Sequence, residues 1–414
     1  MTESFPEQRV TAAPGPAIAK LPRGFSFATT HCGIKKRKVD LGILVSETPA
    51  VAAAVFTSNQ VKAAPVLLCM EHLAKSASNM RAVVVNSGNA NCCTGSHGLK
   101  KSRETARIAA RVLKCKPENT FICSTGVIGV PLPVEKILAA LPDLMAARQA
   151  TPEGFDQFSR AILTTDTRQK VSSATCRLGG KQVRIVGCAK GAGMIHPNMA
   201  TMLAYMITDA AISPALLARA LRECVADTFN AITVDGDTST NDTALVLANG
   251  QSRAKRITAP GSDFVKFKTS LHKVCHDLAL EIVADGEGAQ RVIEIEVRGA
   301  KSAAAADTIA RTIAHSPLVK TACAGADPNW GRILAAAGRS GVKFDPNRAE
   351  IRLAKLLVCR RGQAVSFNEN RAHEAMLAKH VPVLLDLHSG SGRARIYTCD
   401  FTTEYVTINA SYRS

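Results

Sequence analysis

Aromatic residues are scarce in this chain of 414 residues: they make up 4% of it, with one tryptophan, Trp330. That poverty counts against base-stacking surfaces and carbohydrate platforms, which are built from aromatic faces. No run approaches the roughly 18 apolar residues of a membrane-crossing helix. The 13 cysteines contain no C-x-x-C pair; only Cys92 and Cys93 adjoin, so neither a zinc ribbon nor a thioredoxin motif is supported. Also missing are the G-x-S-x-G elbow and the phosphate loop, and Gly191-Ala192-Gly193 lacks the third glycine of a dinucleotide fingerprint. His373-Glu374 begins like H-E-x-x-H, but Leu377 occupies the second ligand position, which excludes a zincin. The ten histidines are dispersed and suggest no metal site.

What the chain does have is positive charge, 52 Lys and Arg against 34 Asp and Glu, for a net +18. Most of the surplus lies in residues 1–200, with 26 basic and 12 acidic groups. Such a balance suits nucleic acid or small anionic substrates. The densest run, Lys35-Lys36-Arg37-Lys38, reads as a solvated loop. Odd, scattered cysteines and an N-terminus carrying Glu3 and Glu7 before any apolar block fit a soluble cytoplasmic protein.

Length and a 46% apolar content predict more than one domain. Residues 1–23, with Pro6, Pro14, Pro16 and Pro22, read as a loose leader. Short β-branched runs predict strands at Leu41–Val45, Val51–Phe56, Val66–Cys69 and Ala82–Val85. Helical periodicity appears at Thr94–Leu113, Val134–Gln149, Ser213–Phe229, Asp263–Val283 and Ala303–Ala314. In Val292–Val297, Ile293, Ile295 and Val297 alternate with Glu294 and Glu296, as in a half-buried strand. Ala394–Ile408 has strand composition. There is no internal repeat.

Five segments rich in glycine, asparagine and threonine each follow an apolar run: Asn86–Asn91, Cys123–Gly129, Lys190–Thr201, Thr233–Asp242 and Gly325–Arg332. Any one could be a plain turn, but five together point to a site built from loops on a rigid scaffold. In the third, Ala200 precedes Thr201 and the apolar run Met202–Met206. A threonine there could attack the Ala200 carbonyl, pass through an ester and hydrolyse to become a new N-terminus. Its α-amine, with a pKa of about 7.7–8.0, would then suit general-base work at neutral pH. Thr201 could equally just begin a buried strand.

The blocks KGAGMIHPNMATML, NSGNANCCTG, STGVIG, TVDGDTSTND, SPLVKTACAGADPNWGRI and YVTINASYRS resemble, in order, those of the ornithine acetyltransferase family, also called glutamate N-acetyltransferases, of arginine biosynthesis. The resemblance runs from about Gly24 to Ser414. It implies an α+β fold with mixed sheets in a four-layer α/β/β/α sandwich and a smaller C-terminal domain at roughly 290–414. It also implies self-cleavage between Ala200 and Thr201 into an α chain (24–200) and a β chain (201–414), associated as α2β2. Thr201 would carry acetyl from N2-acetylornithine to glutamate in a ping-pong cycle, with Thr125 and Gly126 as the oxyanion hole. Substrate contacts would fall on Thr164, Lys190, Thr201, Glu287, Asn409 and Ser414. Small-molecule substrates, and no metal, resident cofactor, nucleic acid or membrane, are expected; acetyl-CoA as a second donor stays open. Two rivals remain: an amidase or aminopeptidase using the same threonine with water as acceptor, and a basic nucleic-acid-binding protein. The family tail more often has an acidic residue where Ser411 stands.

Overall fold

In the computed structural model, residues 18, 20–196 and 202–411 are described. The N-terminal half supplies strands β1 (Phe25–Thr30), β2 (Leu41–Phe56), β3 (Met80–Asn89), β4 (Thr120–Val127), β5 (Lys170–Leu178) and β6 (Lys181–Lys190). After residue 201 come β7 (Leu203–Thr208) and β8 (Thr243–Ala248). These eight join in the order β4-β3-β2-β8-β7-β6-β5, with β1 antiparallel on β2. The pairs β3–β4 and β7–β8 are parallel and the other neighbours antiparallel.

Strand β2 decides the architecture. Its first part, Leu41–Val45, pairs with β3; the register breaks between Val45 and Ala50; its second part, Val51–Phe56, pairs with β8. The sheet is thereby folded into two halves that face each other across one apolar cluster: Leu44, Val83, Val85 and Phe121 from one half meet Tyr205, Ile207, Leu245 and Leu247 from the other. Because neighbouring side chains on a strand point to opposite faces, Val45, Ala82, Val84 and Ile122 face outward. They pack on helices α2 (Gly95–Leu113) and α3 (Val134–Ala146), the helices that follow α1 (Ala64–Ser76). On the far side, Ala204, Met206, Ala244 and Val246 are covered by α5 (Pro214–Ala226) and α6 (Ser262–Ala284). The result is the expected four layers, α/β/β/α. Helix α4 (Pro152–Ala161) adds Phe155 and Phe158 to the space between the half-sheets, where Phe155 meets Phe27 edge-on at 5.3 Å.

A second, six-stranded sheet begins at Val292. Its strands are β9 (Val292–Ala300), β10 (Glu350–Leu353), β11 (Leu356–Arg360), β12 (Gln363–Ala364), β13 (His380–Asp386) and β14 (Gly392–Cys399), in the order β12-β11-β10-β13-β9-β14. Ile293, Ile295 and Val297 are fully buried against α7 (Ala303–Ala314) and the helices after it, α8 (Pro317–Ala324) and α9 (Trp330–Gly338). Glu294 and Glu296 face the other way and pair with Arg395, at 2.9 and 3.4 Å. The alternation seen in the sequence is the alternation of the strand. The chain closes with α10 (Glu369–Met376) and α11 (Thr403–Ala410). Among the described residues no helix is long and apolar enough to cross a membrane.

Two sequence expectations are corrected. Val66–Cys69 is part of α1: Pro65 stands at the first helical turn, and the buried positions Val66, Leu68, Cys69 and His72 follow helical spacing while Leu67 and Met70 face water. In the C-terminal stretch, β14 ends at Cys399 and residues 403–410 are helix. Buried Asp400 stops the strand by accepting from the backbone N–H groups of Gln290 and Arg291, at 2.8 and 3.0 Å. No residue of α11 is buried, so its apolar residues carry no core.

Candidate active site

A cavity of about 270 Å³ opens where loops from both half-sheets meet, lined by Thr125, Gly126, Thr164, Lys190, Glu287 and Asn409 among others. Thr125 and Gly126 close β4, Lys190 closes β6, Thr164 follows α4, Glu287 follows α6 and Asn409 rides on α11. All six fall on positions for which the sequence suggested a role. Ala200, Thr201 and Ser414 lie outside the described residues. The structure reaches the margins of that segment: Ile195 O accepts from the Val234 N–H (2.8 Å), and buried Met202 N donates to Asp242 at 2.8 Å.

Four of the five polar segments converge here. Asn241 Nδ2 donates to Ala90 O (2.7 Å) and Ser124 O (2.8 Å), tying Thr233–Asp242 to the other two loops, and Ser124 Oγ donates to Asn86 Oδ1 at 2.6 Å. Gly126 sits in a conformation (φ +133°) and an approach that exclude a side chain, since a Cβ would lie 2.3 Å from the Gly88 carbonyl carbon. The fifth segment, Gly325–Arg332, is elsewhere; it lines an open groove with Phe367 and His373.

The charged groups are held by a buried lattice that sequence reading missed. Lys170, with no solvent exposure, bridges Asp166 and Asp285 at 2.6 Å each. Asp166 also accepts from Gly191 N (2.6 Å) and Thr164 N (3.0 Å), while Asp285 accepts from Thr167 N–H (3.1 Å) and the Thr167 hydroxyl. One lysine thus locks the Thr164 loop, the Gly191 turn and the segment leading into Glu287. Burial works against ionising Asp166, but Lys170 and Lys190 outweigh it and hold its carboxyl well below the usual range. Burial pulls the Lys190 ammonium below its ordinary value against the opposing pull of Asp166; its Nζ donates no hydrogen bond among the described residues. Glu287 takes Asn409 Nδ2 at 2.7 Å, and its own N–H bonds Ala192 O at 2.9 Å. Asp242, completely buried where it accepts from Met202 N, is pushed well above the carboxylate range by that burial. Asp235 accepts from Met194 N (2.5 Å) and Ile195 N (3.0 Å), fixing the loop before residue 197. Asp235 and Asp242 lie within the TVDGDTSTND block and Asp166 lies two residues after Thr164, but nothing in the sequence sets them apart from turn residues, and Lys170 gives no signal at all.

A pocket of amino-acid size, with a buried ammonium, a buried carboxylate and a glycine amide beside a threonine hydroxyl, is the equipment of an enzyme that moves an acyl group between small polar molecules. The family comparison says which one. The chain belongs to the ArgJ family, whose model matches residues 26–414. It is 46% identical over 398 residues to the arginine biosynthesis bifunctional protein ArgJ of Thermotoga neapolitana, covering 95% of this chain and 100% of that one. The ArgJ protein of Desulfotalea psychrophila is 47% identical over 394 residues, 95% of this chain and 99% of that one. A crystal structure of the Bacillus halodurans ArgJ protein is 40% identical, covering 49% of this chain and 96% of that chain with a TM-score of 0.48.

Proposed function

We infer that the chain is an acetyltransferase of arginine biosynthesis, and that it moves acetyl from N2-acetylornithine to glutamate after cutting itself between Ala200 and Thr201. The observation that carries this reading is the convergence of Thr125, Gly126, Thr164, Lys190, Glu287 and Asn409 on one cavity. In the cycle, Thr201 Oγ attacks the acetyl carbonyl, and its α-amine takes the hydroxyl proton and delivers it to the departing ornithine nitrogen. The acetyl ester on Thr201 is then taken by the glutamate amine, which restores the hydroxyl. Thr125 and the Gly126 amide meet the oxyanion, each contributing about 3–4 kcal/mol to lowering the barrier. Lys190 pairs with the α-carboxylate common to both substrates, and Glu287 with the ornithine side-chain ammonium. Cleavage uses the same hydroxyl: it attacks the Ala200 carbonyl, the peptide C–N bond breaks as the ester forms, and water hydrolyses that ester. The two chains stay together as α2β2 in the cytoplasm.

The test is direct. Purified protein runs as two bands on a denaturing gel and makes N-acetylglutamate from acetylornithine, whereas Thr201→Ala runs as one band and makes none. An active protein that stays a single band refutes the mechanism, and acetate release without N-acetylglutamate would favour an amidase.

A further inference from the structure

The NSGNANCC segment holds the chain's only adjacent cysteines, and the acyl chemistry of the cavity uses neither of them. Cys92 is fully buried in a small cluster with Ala63, Val66 and Ala90, against which Ile128 packs. Cys93 is exposed and immediately precedes Thr94, the N-cap of α2. Their sulfurs are 3.8 Å apart. The residues on either side of Cys92's backbone, Asn91 (φ +47°) and Cys93 (φ +57°), both lie in the left-handed region, which a cysteine seldom adopts. Burial raises the Cys92 thiol above its ordinary value, with the Thr240 hydroxyl working against it. The exposed sulfur therefore meets a reagent first, and the buried one stands behind it.

The pair is tied to the cavity through the backbone. Cys92 O accepts from Gly129 N–H at 3.0 Å, at the end of the Cys123–Gly129 segment that carries Thr125 and Gly126. Ala90 N donates to Val127 O at 3.0 Å, and Ala90 and Ile128 both line the cavity. Neighbouring Cα atoms across a trans peptide are about 3.8 Å apart, below the roughly 4.4–6.8 Å that an unstrained disulfide spans. To bond, the two sulfurs must close from 3.8 Å to about 2.0 Å. That closure twists the single peptide between them. The same peptide carries the Cys92 carbonyl, so its bond to Gly129 is the contact that gives way.

We propose that Cys92 and Cys93 are an oxidation site for peroxides, closing to a vicinal disulfide that frees Gly129, loosens the end of the strand bearing Thr125 and Gly126, and slows acetyl transfer. The effect on transfer rests on the reading of the cavity given above; disulfide formation and the freeing of Gly129 do not. The Cys93 thiolate attacks one oxygen of hydrogen peroxide, the O–O bond breaks, and the other oxygen leaves as hydroxide and takes a proton to become water. Cys93 is left as a sulfenic acid. The Cys92 sulfur then attacks the Cys93 sulfur, the S–O bond breaks, and that oxygen departs as water with the Cys92 proton. Two thiols are oxidised and one peroxide is reduced to two waters. Because the ring is strained, a dithiol reductant reopens it.

The experiment treats wild type, Cys92→Ala and Cys93→Ser with stoichiometric hydrogen peroxide. Three quantities are read: the mass of the peptide carrying both cysteines, amide hydrogen exchange over residues 125–129, and acetyl transfer from acetylornithine to glutamate. In wild type the peptide should lose two hydrogens, and exchange over 125–129 should quicken about tenfold or more. Transfer should fall about tenfold, a part of what removal of an oxyanion donor costs. Dithiothreitol should restore all three. Untreated, both variants should transfer acetyl within about twofold of wild type. Under peroxide they should keep that activity and their exchange rates, with Cys92→Ala stopping at a sulfenic acid that dimedone traps. A wild-type peptide that forms no disulfide, a disulfide that leaves exchange or transfer unchanged, or an equal loss in the variants would each overturn the proposal. If reduced wild type makes no N-acetylglutamate while the disulfide still forms and frees residues 125–129, it is the reading of the cavity that fails.

Discussion

Gly193→Ala isolates the seat of the Glu287 carboxylate. Gly193 has no positive φ, so alanine is allowed by its backbone; the obstacle is steric alone. An added Cβ would lie 2.4 Å from Glu287 Oε2 and 2.5 Å from the carboxylate carbon, roughly an ångström inside ordinary contact. Glu287 is 7% exposed and cannot swing into open water. It must slide off Asn409, giving up the 2.7 Å bond. A hydrogen bond to a charged group contributes about 1.5–3 kcal/mol, which corresponds to roughly 10- to 150-fold in kcat/KM for acetylornithine. If Glu287 meets the ornithine ammonium, most of that loss falls on acetylornithine, and an N-acetyl donor of equal length without the side-chain ammonium is affected far less. The assay is steady-state transfer to glutamate with both donors, alongside thermal unfolding. A kcat/KM within twofold of wild type for both donors, in a protein of unchanged Tm, would refute the placement of Glu287 in the site.

Lys170→Met should be severe, because it strands Asp166 and Asp285 as buried carboxylates with their common cation gone. The expected cost is about 3–5 kcal/mol in denaturant unfolding, and a loss under about 1 kcal/mol would mean the lattice is not what holds the site together. His315 gives a pH signature. Burial, with His196 and Arg311 adding to it, holds its pKa down to about 4. The unfolded chain therefore takes up a proton that the folded one refuses, and stability falls as pH drops from about 6.5 towards 4. The partly solvated ring reduces the effect to about 1–2 kcal/mol. His315→Gln should flatten unfolding free energy between pH 7 and 5; the same slope in both proteins would remove His315 as the cause.

The sequence carries the parts of this fold that are locally periodic. Ala303–Ala314 is helical from end to end as its spacing requires, and β9 buries the isoleucines its alternation singles out. Short apolar runs such as Val66–Cys69 have no such period to settle helix against strand. The fold in β2 is equally silent, since both its parts are apolar and only the partners β3 and β8 reveal the break in register. The cavity shows the same division. Thr125, Gly126 and Lys190 sit in segments whose composition already marked them, Thr164, Glu287 and Asn409 are pointed out only by the family resemblance, and Lys170 meets Asp285 across 115 positions of chain, so that its meaning appears only in three dimensions.

The order of strands in the first sheet bears on what the proposed cut between Ala200 and Thr201 would do. Strands β7 and β8, which follow residue 201, lie between β2 and β6, which precede it; Lys190 and Leu203 stand opposite each other in the ladder. A break at residue 200 would open a connection between neighbours and leave every rung intact. Separation of the fragments would then require tearing two strand interfaces out of the middle of a sheet. Once unfolded, however, such a protein could re-form only by encounter of two chains, a concentration-dependent step that the intact precursor never faces. The mature enzyme would therefore endure through slow unfolding rather than ready refolding, and a dilute sample heated and cooled would not recover what an uncut Thr201→Ala sample does.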